Sequence, residues 1–135
     1  YNLMQREEER EMFGLLADHG VGSIPYTPLA KGRLARPWGE HTKRFDVDPV
    51  GRRFDIEGDQ PIVEAVQKVA EDRGIPMAHV ALAWVLKHPV VTAPIVGPTK
   101  PHHLPAAVEA LDVQLTDDDI RTLEEPYGPH LPTGF

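Results

Sequence analysis

The sequence predicts an α/β fold with parallel strands that is incomplete as it stands and forms part of a barrel. Three observations lead there. Two short apolar runs bounded by Gly and Pro, VGSIPY at 21–26 and VTAPIV at 91–96, have the length and β-former content of strands buried on both faces. Two helical patterns lie between them, and a strand–helix–strand crossover is parallel and right-handed. Two strands alone cannot close a parallel sheet, because both faces and both edges need cover. Further strands must therefore come from outside these residues.

The elements follow in order. Residues 6–19 read as a helix: Glu7, Glu8 and Glu9 suit the positive end of its dipole, Met12, Phe13, Leu15 and Leu16 form an apolar patch, and Gly20 stops it. The strand at 21–26 comes next. From 27 to 59 the periodicity dissolves into Gly, Pro and charge, with Leu29, Leu34, Trp38, Phe45 and Phe54 as anchors; this stretch is either a functional loop or a bland mobile insertion. Asp59 is placed to cap a helix over 61–73, where Ile62, Val66, Val69 and Ala70 share a face and Gly74 marks the end. Pro76 opens another helix, closed by Pro89, in which Val80, Ala81, Trp84 and Val85 make a buried stripe; Trp84 belongs to the core rather than to a ligand. After the strand at 91–96, Pro101 opens a helix reaching Leu111. Thr116 caps a last helix over 117–125, its aspartates in the first turn, and residues 127–135 form a Pro/Gly-rich tail.

Composition excludes several function classes. Fourteen basic and twenty-one acidic side chains leave a formal charge of −7, against a nucleic-acid binder with a broad basic face. The absence of cysteine removes disulfides, thiolate zinc sites and a cysteine nucleophile. No apolar run approaches the roughly 18 residues of a membrane span, and no signal peptide precedes the first helix, so a cytoplasmic globular protein is expected. The opening Tyr1-Asn2-Leu3-Met4 reads as though cut from a longer chain.

The chemistry is expected where the strands end. After the first come Thr27, Pro28, Leu29, Ala30, Lys31, Gly32 and Arg33: a hydroxyl, a flexible glycine and two cations. After the second come Gly97, Pro98, Thr99 and Lys100, where glycine permits close backbone approach and lysine supplies the charge an anionic phosphate requires. Barrels of eight parallel strands bind ligands at those strand ends, often with phosphate after the last two. Each turn alone is also readable as an ordinary solvated turn; the pair in equivalent positions is what points to a ligand. Tyr26, ending the first strand, is either a packing residue or a ring for stacking on a flat heterocycle. The seven histidines show no metal-ligand spacing; most read as surface residues, and His103 as a lining residue for the turn before it. There is no serine nucleophile elbow and no Walker loop, and the carboxylate runs at 117–119 and 124–125 read as helix-end electrostatics.

Tyr1-Asn2-Leu3, Arg6 to Glu9, Gly22 through Gly32, Ala83-Trp84-Val85-Leu86, Pro94 through Lys100, and Leu115 through Tyr127 together resemble the second half of an aldo/keto reductase. The likeness covers practically the whole chain except about 36–59, and leans toward the bacterial aryl-alcohol-dehydrogenase-type branch. It implies the C-terminal part of a (β/α)8 TIM barrel, residues 1–135 being the second half of a single domain. It also implies reduction of aldehydes and ketones with NADPH, or NADH as the alternative, without metal. On that resemblance Tyr26 stacks on the nicotinamide, and Thr27, Pro28, Leu29, Ala30 and Lys31 run along the ribose and pyrophosphate. Gly97, Thr99 and Lys100 hold the adenosine 2′-phosphate. His103 approaches the adenosine end, where relatives often carry Gln or Arg. Ala106 and Ala107 depart from the acidic or amide residues that many members place near adenine. The family's catalytic Asp, Tyr, Lys and His belong to the first half, so no catalytic residue is assigned; none of Tyr1, Tyr26 or Tyr127 is the proton donor, and this chain alone is expected not to turn over. The implied partners are a small carbonyl substrate and the missing N-terminal barrel half, with neither nucleic acid nor membrane. The residues at 36–59 either line the substrate pocket or pack onto the barrel. Two other readings stay open: a non-catalytic phosphate- or nucleotide-binding α/β module, and an inactive half-barrel that dimerises.

Overall fold

The computed structural model describes residues 1–40 and 58–129; Phe45, Phe54, His41 and His130 lie outside the described residues, as do most of the 36–59 loop and the end of the tail. Two helices form the centre. Helix α2, Asp59–Arg73, buries Ile62, Val63, Val66, Val69 and Ala70 along one face, as its spacing predicts. It ends at Gly74, whose φ of 64° is left-handed, and the Ile75 amide donates back to the Ala70 carbonyl at 3.0 Å. Helix α3, Met77–Leu86, is buried on every side from His79 to Val85. A helix apolar all round has to be enclosed. It packs against α2, against a 3-10 segment over Ala30–Ala35, and against the turn at Ala110–Asp112. Leu34, fully buried, anchors that 3-10 segment to the core.

The remaining helices are shorter than their sequence patterns suggest. The expected helix over 6–19 is split into a 3-10 turn at Glu7–Glu9 and helix α1, Met12–Asp18. Glu9 is held by Arg6 and the Tyr1 hydroxyl, and Glu11, at φ −137°, breaks the spiral between the two. Only Phe13 of its apolar patch is buried; Met12 and Leu15 are exposed. Helix α4, His103–Glu109, starts two residues later than the expected Pro101, and its last turn tightens into the 3-10 segment Ala110–Asp112. Helix α5, Asp117–Glu124, carries the expected cap: Thr116 Oγ1 accepts from the Asp119 amide at 3.2 Å, while the Asp119 carboxylate accepts from the Thr116 amide at 2.7 Å. Asp59 does not cap α2. Gly58 takes the cap position, and the buried Asp59 carboxylate lies 3.8 Å from Arg33 Nη1, tying the end of the 3-10 segment to the start of α2.

The strands expected at 21–26 and 91–96 need a larger correction. Among the described residues β pairing consists of isolated bridges, of which Ser23↔Val91 and Tyr26↔Ile95 are parallel. Three backbone bonds make them: Ser23 N to Val90 O at 2.7 Å, Thr92 N to Ser23 O at 2.8 Å, and Ile95 N to Pro25 O at 2.8 Å. Continuous ladders fail for two reasons. Pro25 and Pro94 have no amide to donate. Between the bridges one segment advances from 23 to 26 and the other from 91 to 95, so the second carries an extra residue. The described residues are thus mostly helical, yet the two segments lie side by side and run the same way, as the α/β expectation requires.

An ion cluster closes the other side of the core. Glu124 accepts from Trp84 Nε1 at 2.9 Å, and its oxygens lie 3.3 Å from Arg6 Nη2 and 3.5 Å from Lys87 Nζ. The Arg6 guanidinium sits over the rings of Trp84 and Tyr127, at 5.2 and 4.9 Å. Glu124, which by its place in the sequence reads as helix-end electrostatics, is instead the anchor joining the first residues to α3 and α5. Burial pushes its carboxyl up, but the Trp84 bond and the charges of Arg6 and Lys87 outweigh that and hold it below the ordinary 4.5.

Two predictions follow from this packing. A methyl group on Gly22 would overlap Thr92 Oγ1 and lie 3.2 Å from Thr92 Cβ. Gly22→Ala should therefore cost about 1–3 kcal/mol, seen as a lower urea midpoint at unchanged slope; an unaltered midpoint contradicts the close approach. Because the Glu124 carboxyl is depressed in the folded state, its contribution is complete above its ordinary value of 4.5 and is lost as pH falls through the lower folded value. Glu124→Gln should flatten the fall in melting temperature below that pH, and an equally steep fall contradicts the assignment.

Candidate functional site

Parallel pairing decides the geometry of the site. With Ser23 opposite Val91 and Tyr26 opposite Ile95, the turns that follow the two segments leave at the same end of the pair. One turn begins at Thr27 and the other reaches Gly97 two residues after Ile95.

The first turn is bent into an unusual path. Thr27, Ala30 and Lys31 have φ values of 58°, 46° and 56°, in the left-handed region that L-residues avoid, and Gly32 follows at 90°. Such backbone costs on the order of 1 kcal/mol per residue and persists only where surroundings enforce it. Gly32 also admits close approach: a Cβ there would come within 2.6 Å of Arg36 Nη2. The Thr27 carbonyl accepts from the Ala30 amide at 3.0 Å and from Asn2 Nδ2 at 3.0 Å, and the Leu29 carbonyl accepts from the Gly32 amide at 2.8 Å. Pro28 is buried; Thr27, Leu29 and Ala30 are half-buried; Lys31 is exposed. Tyr26 stands 72 % exposed at the head of the turn. It is no core residue here, and a ring so open is available for a face-on contact.

The second turn is open. Gly97, Thr99 and Lys100 are exposed, and a Cβ on Gly97 would meet nothing within 4 Å. The Thr99 amide donates to His103 Nδ1 at 3.3 Å, and Thr99 Oγ1 lies 3.4 Å from the same nitrogen. In the neutral ring this bond makes Nδ1 the acceptor and leaves the proton on Nε2. His103 thus holds its own turn. The neighbouring His102 ring stands nearly perpendicular to it, 4.7 Å between centroids. Among the described residues no group of three or more His, Asp or Glu is arranged to hold a metal ion.

Two features lie apart from these turns. A concavity of about 470 Å³ is lined by Pro37, Gln67, Gly74 and Met77, among others, and by none of the predicted site residues. The tyrosines other than Tyr26 are occupied by packing: Tyr1 stacks on Trp84 at 5.1 Å and donates its hydroxyl to Glu9, and Tyr127 faces Arg6. Burial, then the bond to Glu9, pushes the Tyr1 phenol well above its ordinary value, which makes it a poor acid. The residue that sequence analysis misses is Asn2. Its partner is 25 residues away, and a single amide carries no periodic signal. No helix of the described residues is long and apolar enough to cross a membrane.

Comparison with known proteins adds the lineage. The family model described as "Aldo/keto reductase family" matches residues 1–127. The versiconal hemiacetal acetate reductase of Aspergillus parasiticus is 42% identical over 134 residues, covering 96% of this chain and 39% of that protein. The aldo-keto reductase AMT2 of Alternaria alternata is 39% identical over 137 residues, covering 99% and 36%. A Saccharomyces cerevisiae relative with aryl-alcohol dehydrogenase in its name is 38% identical over 133 residues, covering 96% and 38%. The chain spans well under half the length of each of these relatives.

Proposed function

From the premise that the chain belongs to the aldo/keto reductase family, we propose that it is the cofactor-holding half of a (β/α)8 carbonyl reductase that uses NADPH in the cytoplasm. The observation that carries this reading is the parallel pairing of the two segments, because it sends the 27–32 and 97–100 turns out at one end. The two turns offer what a dinucleotide needs: an exposed ring at Tyr26, a close-approach glycine at Gly32, and exposed cations at Lys31 and Lys100.

The cofactor supplies hydride to an aldehyde or ketone carbon. Tyr26 sets the plane of the nicotinamide. Thr27, Pro28, Leu29, Ala30 and Lys31 line the ribose and pyrophosphate. Gly97, Thr99 and Lys100 take the adenosine 2′-phosphate, with His103 fixing Thr99 in place. None of the described residues is assigned the proton transfer to the substrate oxygen; that group belongs to the missing half of the barrel.

The surface supports the need for that half. Val21, Ile24, Tyr26 and Ile95 expose apolar side chains along the paired segments, and Met12 and Leu15 do so on α1. Leu104 and Val108 on α4, with Leu111 one turn on, form a second exposed row at helical spacing. The centrally placed α2 and α3 have their apolar faces covered, whereas the first helix and α4 do not. Apolar faces left open in this way are suited to packing against a further layer.

Fluorescence titration of the full-length gene product with NADPH and NADH tests the reading. Lys100→Ala should weaken NADPH binding about tenfold, equivalent to about 1.4 kcal/mol, and change NADH binding less than twofold. Equal losses for both cofactors contradict the 2′-phosphate role, and a wild-type protein that binds neither contradicts the reading as a whole.

A further inference from the structure

We propose that Asn2 is a positioning residue for the cofactor: its side chain fixes the strained 27–31 turn and thereby governs affinity at the nicotinamide and pyrophosphate end of the site. The inference rests on the functional reading above. Asn2 is only 4% exposed although polar, and a buried amide is retained only where its hydrogen bonds are made. Its Oδ1 accepts from the Met4 amide at 2.9 Å and the Gln5 amide at 3.1 Å, an Asx-type turn. Its backbone pairs in both directions with Gln5, at 3.1 and 2.9 Å. Four bonds therefore fix Asn2 within residues 2–5, next to the fully buried Leu3.

The remaining arm, Nδ2, reaches the Thr27 carbonyl. That carbonyl opens a turn in which three non-glycine residues hold left-handed backbone. Residues in this region relax unless neighbouring structure pins them. Asn2 is a rigid point outside the turn that pins it, between the exposed Tyr26 ring and the Lys31 cation. Among the described residues Asn2 hydrogen-bonds to Thr27 and within residues 2–5 and not to the 97–100 turn, so the two ends of the cofactor should respond differently to its loss.

Asn2→Asp separates the roles. The carboxylate keeps an acceptor for Met4 and Gln5 but sets an oxygen against the Thr27 carbonyl. Asn2→Ser, neutral and too short to reach Thr27, carries the same test if the buried charge unfolds the chain. Each, made in the full-length gene product, is titrated with NADPH and with adenosine 2′,5′-bisphosphate, which lacks the nicotinamide. The expected result is about a tenfold loss for NADPH and less than a twofold change for the bisphosphate. A parallel loss of both overturns the proposal, since a general loosening of the fold would do that; so does unchanged NADPH affinity. A wild-type protein that binds the bisphosphate but not NADPH overturns it while sparing the Lys100 assignment. Binding of neither removes the functional reading and this proposal with it.

Discussion

Three backbone hydrogen bonds between two short proline-interrupted segments set the direction in which the two candidate turns point. They are few because Pro25 and Pro94 cannot donate and because the second segment carries an extra residue between the bridges. They suffice because the approach is close, with Gly22 leaving room for the Thr92 side chain. Reversing either segment would separate the 27–32 turn from the 97–100 turn by the length of the pair. That the two turns leave at one end is thus a consequence of strand direction.

That pairing leans on a helical layer rather than on a sheet. Helix α3 is enclosed by α2 and by the 3-10 segments at Ala30–Ala35 and Ala110–Asp112, and its Trp84 carries the enclosure to Glu124, Arg6 and Tyr1. Buried apolar surface supplies the larger stabilising term, at roughly 25 cal/mol per Å². The Arg6–Glu124 cluster supplies direction, since a half-buried carboxylate must keep its partners. The first residues of the chain, drawn in by Leu3, Met4 and Arg6, are thereby brought to the base of the 27–31 turn. Core packing and the path of the 27–31 turn are joined at Asn2.

Much of this was legible in the sequence, for identifiable reasons. The Thr116–Asp119 cap, the Gly74-Ile75-Pro76 break and the enclosed Trp84 are local or periodic signals, and the structure reproduces them. The family likeness was legible because its motifs sit in the right order along the chain. What failed depended on distant partners. Asp59 looks like a cap but is drawn to Arg33. The helix over 6–19 breaks because Glu9 is held by Tyr1 and Arg6. The strands at 21–26 and 91–96 reduce to bridges because their prolines, harmless as boundary signals, fall where donors are needed. For the site, the turns were visible as composition, whereas the left-handed path of Thr27, Ala30 and Lys31 and the tie from Asn2 were not.

The most direct test is the direction of that pairing in solution, read from inter-residue nuclear Overhauser effects. The account predicts contacts of the Ser23 amide with Val90 and Val91, and of the Ile95 amide with Pro25 and Tyr26. Contacts of Ser23 with Ile95 and of Tyr26 with Val91 would show antiparallel segments, carry the two turns to opposite ends, and contradict it.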